Sequence, residues 1–174
     1  DKLDGGLTND DALEVVRLLD RTSIDLIDIS GGTYFPGAKA ASDTSDPGPY
    51  FGEFARRAKG VTTIPVMATG GFKTEKQAVD AVASGAVDMV GLARAMALEP
   101  GLPNAWLSGK GGDPDFPRFE SVPPSGITDW FIMRLAALGE DREDSFDLDI
   151  ATAMQQFEDR TQLHAASWKE TFSG

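Results

Sequence analysis

Three short apolar runs constrain this chain more than any other feature: IDLIDIS (24–30), IPVMA (64–68) and VDMVGLA (87–93). Each follows a stretch with helical spacing, and each runs into glycine or alanine. Thr8 with Asp11 forms a capping box in its acidic version, and Ala12, Val15, Val16 and Leu19 fall at i, i+3, i+4 and i+7. That spacing predicts an amphipathic helix over 9–21. Phe51, Phe54, Ala55 and Ala58 repeat it and stop at Gly60, read as a C′ glycine. Thr74 with Gln77 opens a third helix, with Ala78, Ala81 and Val82 as its stripe and Gly85 as its end. Runs packed with Ile, Leu and Val and bounded by turn glycines read as buried strands. Helix and strand thus alternate three times. Strands joined through helices pair in parallel by right-handed crossovers, so the fold class is α/β, with helices packed outside a parallel sheet.

After Arg94 the pattern changes. Pro100, Pro103, Pro114, Pro117, Pro123 and Pro124 stand among several glycines, which predicts an irregular segment over 100–126. Helices are expected over about 127–138, with Phe131, Leu135 and Leu138 in register, and over about 146–170, with Ile150, Ala153, Met154 and Phe157 in register. The chain divides into β-α units over 1–104 and a loop with a helical C-terminal extension over 105–174.

Composition removes several function classes. A formal charge of −12 opposes a nucleic-acid backbone, although a local phosphate site built from N–H groups remains open to an acidic chain. With no cysteine there is no thiol nucleophile, disulfide or thiolate metal site. A single histidine, His164, excludes a His-paired metal or catalytic motif within these residues and reads as a polar position on the last helix. No apolar run approaches the roughly 20 residues of a membrane span, and no basic, apolar-cored leader opens the sequence. A cytoplasmic protein without membrane or nucleic-acid partners is expected.

The strand ends carry the remaining chemistry. Gly70 and Gly71 close the second strand and precede a capped helix, so their N–H groups face outward with no Cβ in the way. A phosphate can sit against such groups, aided by the positive end of the helix. A tight turn alone also explains two glycines. VGLAR follows the third strand, placing Gly91, Ala93 and Arg94 on the same face one strand over, with Arg94 a candidate bidentate cation. Alone, Arg94 reads equally as a surface ion pair. Together the two turns favour phosphate binding, since neighbouring terminal strands of a β/α barrel often build such a site. Ser30, Gly31, Gly32 and Tyr34 project from the first strand toward the same mouth.

In order and spacing, IDLIDISGG, IPVMATGGF and VDMVGLARAMALEPGLP resemble the last three strands of the old yellow enzyme family of NAD(P)H-dependent flavin oxidoreductases. The resemblance runs from about residue 4 to residue 104. It implies the last three strands, six to eight, of a TIM (β/α)8 barrel that holds FMN without a covalent bond. It further implies that Gly70 and Gly71 bind the flavin phosphate and that Ala93 and Arg94 complete that site. The implied activity is reduction of electron-poor alkenes or related small-molecule electrophiles, with NAD(P)H as reductant. An ordinary member of that family is about twice as long, and its proton-handling residues lie mostly in strands absent here. The basic residue of the fifth strand is missing too, and 105–174 resembles the family's C-terminal extension less distinctly. The sequence reads as the C-terminal half of such an enzyme, inactive alone, in preference to a natural half-length protein, since three parallel strands with an open edge would expose apolar surface that self-association could re-bury. Two other readings stay open: a non-catalytic phosphate-binding half-barrel that docks a partner, and a phosphate-binding barrel enzyme acting on a sugar phosphate.

Overall fold

A computed structural model describes residues 5–31, 48–120 and 122–172. The chain divides into two compact units, Asp1–Asp115 and Phe116–Gly174. In the first, α1 (Asn9–Leu19), β1 (Ile27–Ile29), α2 (Gly52–Lys59), β2 (Val66–Thr69), α3 (Glu75–Ala83) and β3 (Met89–Gly91) alternate, and then come α4 (Arg94–Leu98) and α5 (Leu102–Leu107). The strands form one parallel sheet in the order β1-β2-β3, with Ile27 opposite Val66 and Thr69 opposite Gly91. Three parallel strands alternating with helices, followed by further helices, match part of a TIM barrel.

The capping boxes form as the sequence requires. Asp11 N donates to Thr8 Oγ1 (3.1 Å) and Thr8 N donates to Asp11 Oδ2 (2.9 Å). At α3, Gln77 N donates to Thr74 Oγ1 and Thr74 N returns to Gln77 Oε1, both at 3.2 Å. Such caps contribute about 1 kcal/mol each. Gly85 closes α3 with φ +72°, the left-handed turn expected of it. Gly60 differs: its φ of −72° is right-handed, because the chain leaves α2 in a tightened turn in which Gly60 N donates to Arg57 O.

The strands are shorter than their apolar runs. β1 holds only three residues, and Ile24 and Leu26 are 41% and 37% exposed, because pairing with β2 begins only at Ile27. Side-chain alternation across the pleat is clear: Ile27, Ile29, Val66 and Ala68 are buried, whereas Asp28, Met67 and Thr69 between them are not. The buried set meets Leu13 and Val16 of α1 and Ala55 and Ala58 of α2 in one core. Val66 is wholly buried, which contributes about 1.5–3 kcal/mol for a side chain of its size. Two helical stripes are displaced from their expected positions. In α1 Leu13, not Val15, faces the core, and in α3 Val82 is 44% exposed while Ala81 packs inward.

Two carboxylates fasten the loops on the strand-entry side. Asp20 accepts from Thr62 Oγ1 (2.6 Å), Thr63 N (2.6 Å) and Thr63 Oγ1 (3.1 Å). These bonds, that from Thr62 foremost, hold its carboxyl below the usual range. Asp88 accepts from Lys59 Nζ and from Val66 N (2.9 Å), and the Lys59 bond chiefly lowers its pKa.

The stretch after Arg94 is more ordered than its prolines suggest. α4 and α5 turn about Glu99–Pro100–Gly101, where Leu102 N donates to Glu99 O (3.0 Å), and Leu102 is wholly buried. Pro103 sits in the first turn of α5, a position that tolerates its missing N–H.

In the second unit α6 (Gly126–Gly139) and α7 (Ile150–Phe172) pack together, linked by a 3-10 turn at Glu143–Ser145. A Cβ on Gly126 would come within 2.9 Å of Ile150 Cγ2, so the two helices start in close contact. Trp130 is ringed edge-on by Phe119, Phe131 and Phe146, and its Nε1 donates to Leu148 O at 2.7 Å. The buried face of α6 includes Trp130, Met133 and Ala137; Leu135, expected on it, is 54% exposed. Among the described residues no helix is long and apolar enough to cross a membrane.

Candidate functional site

Parallel pairing sends all three strands out of one edge of the sheet. β1 leads into Ser30–Gly31, β2 into Gly70–Gly71, and β3 through Leu92 into Ala93–Arg94. The pair Thr69–Gly91 is the last rung between β2 and β3, so Gly70–Gly71 and Ala93–Arg94 leave neighbouring strand ends. All four sequence-selected residues therefore belong to adjacent turns. Ser30 and Gly31 follow the other neighbour, with Phe51 Cζ 3.2 Å from where a Gly31 Cβ would be. Gly32 and Tyr34 lie outside the described residues.

The glycines of the central turn answer first to the protein itself. Gly70 and Gly71 have φ of +120° and +83°, which side-chain-bearing residues rarely adopt. A Cβ on Gly71 would lie 1.9 Å from the carbonyl oxygen of Gly48, and one on Gly70 would lie 3.2 Å from the Tyr50 ring. The segment entering α2 thus lies directly on the turn. Gly91 is also forced, since its Cβ would stand 1.9 Å from Thr69 Oγ1. That hydroxyl donates to Asp28 Oδ1 at 2.8 Å, linking residues of β1 and β2 across the unburied sheet face.

The helix end expected to assist a phosphate is already engaged. Lys73 N donates to Gln77 Oε1 (2.8 Å), Gln77 N to Thr74 Oγ1, and Glu75 N to the carboxylate Oδ1 of Asp113 at 2.7 Å. Asp113 had no signal in the sequence: 38 residues separate it from Glu75, and it follows an ordinary Gly-Gly pair. The turn after β3 is simpler. Ala93 is exposed and serves as the N-cap of α4 without a side-chain hydrogen bond; Arg94, the first residue of the helix, is half-buried. The strand-end edge thus carries two small-residue turns, one with an adjacent guanidinium.

No family model matches the chain. It is 32% identical over 105 residues to the NADH-dependent flavin oxidoreductase iliE of Neonectria sp. (strain DH2), covering 53% of this chain and 14% of that protein. The protein of the same name from Hypocrea jecorina (strain QM6a) is 32% identical over 102 residues, covering 53% of this chain and 25% of its own length. Bilirubin reductase of Mediterraneibacter gnavus (strain CC55_001C) is 25% identical over 109 residues, covering 62% of this chain and 17% of that protein. The chain thus matches no more than a quarter of these relatives' lengths. The likeness first carried by the three strand-end motifs is a partial homology: about half of this chain is related to NADH-dependent flavin oxidoreductases.

Proposed function

We propose that this chain forms the phosphate-gripping part of an FMN-dependent oxidoreductase of old yellow enzyme type, with NAD(P)H as reductant. The observation that carries this reading is the placement of Gly70–Gly71 and Ala93–Arg94 on neighbouring strand ends, in a chain half of which is related to flavin oxidoreductases. The donor chemistry fits a phosphate. Backbone N–H groups of Gly70 and Gly71 supply directional donors, the methyl side chain of Ala93 leaves room for approach, and Arg94 supplies a fixed positive charge. Bound FMN supplies hydride transfer from NAD(P)H to an electron-poor small molecule. The residues of this chain bind and orient that cofactor; no side chain here is assigned a proton transfer. The relatives include a bilirubin reductase beside flavin oxidoreductases whose names carry no substrate, so we propose a reductase without naming its electrophile.

The test is flavin affinity in the full-length protein, with riboflavin as the analogue lacking the phosphate. FMN should bind more tightly than riboflavin, and Arg94→Ala should reduce that preference by about 1.5–3 kcal/mol, the cost of one charged hydrogen-bonded contact. Once flavin is saturating, the same substitution should leave turnover nearly intact. A colourless protein that binds neither flavin would instead support the non-catalytic docking module.

A further inference from the structure

The two turns of the proposed site belong to consecutive β-α units, and the pairing of β2 with β3 ends at Thr69–Gly91, short of the loops beyond it. Residues 108–113 connect them a second way. The segment leaves α5 with Lys110 N donating to Ala105 O (3.1 Å), and Gly111 lies so close to that helix that its Cβ would fall 2.4 Å from the Ala105 methyl. Trp106 Nε1 donates to Gly112 O at 3.2 Å. One residue on, Asp113 Oδ1 accepts from Glu75 N at 2.7 Å, in the first turn of α3. One end of this strap is therefore anchored to α5, which follows Ala93–Arg94 by way of α4 and the Glu99–Gly101 corner. The other is anchored to the helix that continues from Gly70–Gly71.

We propose that this strap sets the spacing between the two phosphate-binding turns, with Asp113 as a positioning residue that acts through the α3 N-terminus and does not itself touch the ligand. The inference rests on the phosphate site proposed above. A carboxylate bonded to a helix N–H in the first turn holds that end by charge and hydrogen bond together. Without it, the α3 end and the turn feeding it are free to shift relative to Arg94. The spacing that lets both turns contact one phosphate is then lost on average, whereas flavin contacts elsewhere are untouched.

The full-length protein is titrated with FMN and with riboflavin, and the ratio of the two dissociation constants is the readout. Asp113→Ala should lower the preference for FMN about three- to tenfold, the scale of one hydrogen bond, while riboflavin affinity stays constant. Asp113→Asn keeps an acceptor oxygen in place and should retain most of the preference. Trp106→Phe, which keeps the ring but removes the donor to Gly112, should shift the ratio in the same direction as Asp113→Ala. If the unaltered protein binds both flavins equally, the phosphate site itself fails. If it prefers FMN and either Asp113→Ala or Trp106→Phe leaves the ratio unchanged, the strap fails and the site stands. An Asp113→Ala protein that binds FMN more tightly would also overturn the proposal, since Asp113 would then be repelling the phosphate.

Discussion

Gly71 shows how one residue type can satisfy two requirements that the sequence alone does not separate. Paired glycines at a strand end suggest either a turn or a ligand approach, and the protein's own backbone meets both conditions. The φ of +83° demands glycine, and the Gly48 carbonyl occupies the space of a Cβ. Gly71→Ala is consequently a poor reporter of ligand contact, because the methyl collides with backbone before any cofactor is considered. Gly85 provides the comparison, with φ +72° and nothing within 4 Å of its Cβ position. Gly85→Ala should cost about 1 kcal/mol from the backbone conformation alone. Gly71→Ala should cost a further 1–3 kcal/mol or about that, the scale of overpacking. Urea unfolding of both variants checks this, and equal losses would mean that the loop at Gly48 yields freely. Arg94 is more informative, since its removal leaves no such collision.

At the scale of elements, the helices were legible because their signals are local. Thr8 with Asp11 and Thr74 with Gln77 announce their helices within four residues, and both boxes form. Strand ends were less legible, because a strand extends only as far as its neighbour pairs. Ile24 and Leu26 look like strand interior yet lie before the first rung. α4 and α5 were hidden by flanking prolines whose positions suit a corner and a first turn. Asp113 was invisible, since its partner is distant in sequence and the contact is to backbone. Asp20 offers a test of such nonlocal ties between elements. Its folded pKa is depressed below the ordinary 3.8 by the bonds from Thr62 and Thr63. The stabilisation is therefore fully present above the unfolded value and is lost as pH falls through the lower folded value. Stability should decline from about pH 5 downward. Asp20→Asn, which cannot gain from ionisation, should be less stable near neutrality and show a shallower acid decline. Denaturant midpoints measured across that range check the slope, and parallel curves for both proteins would remove Asp20 from the account.

At the scale of the molecule, a parallel sheet ordinarily has both faces covered, and here, among the described residues, only one face of the strands carries buried residues. Ile27, Ile29, Val66 and Ala68 meet helices; Asp28, Met67, Thr69 and Met89 occupy the other face, with Met89 50% exposed. This chain alone should show no enone reductase activity with NAD(P)H and added FMN above the free-flavin background, because no histidine precedes His164 to handle a proton. A spectrophotometric assay decides it, and clear turnover would mean that the residues present suffice for catalysis. The bare face also has a chemical signature. Met67 and Met89 are register partners on it, whereas Met133 is buried in the second unit. Thioether oxidation follows solvent access. Under dilute peroxide the isolated chain should gain sulfoxide at Met89 before Met67, with Met133 spared. If longer flanking sequence completes a barrel over this face, the same treatment of the full-length protein should spare all three, so that two sulfur atoms record whether the sheet has found its cover.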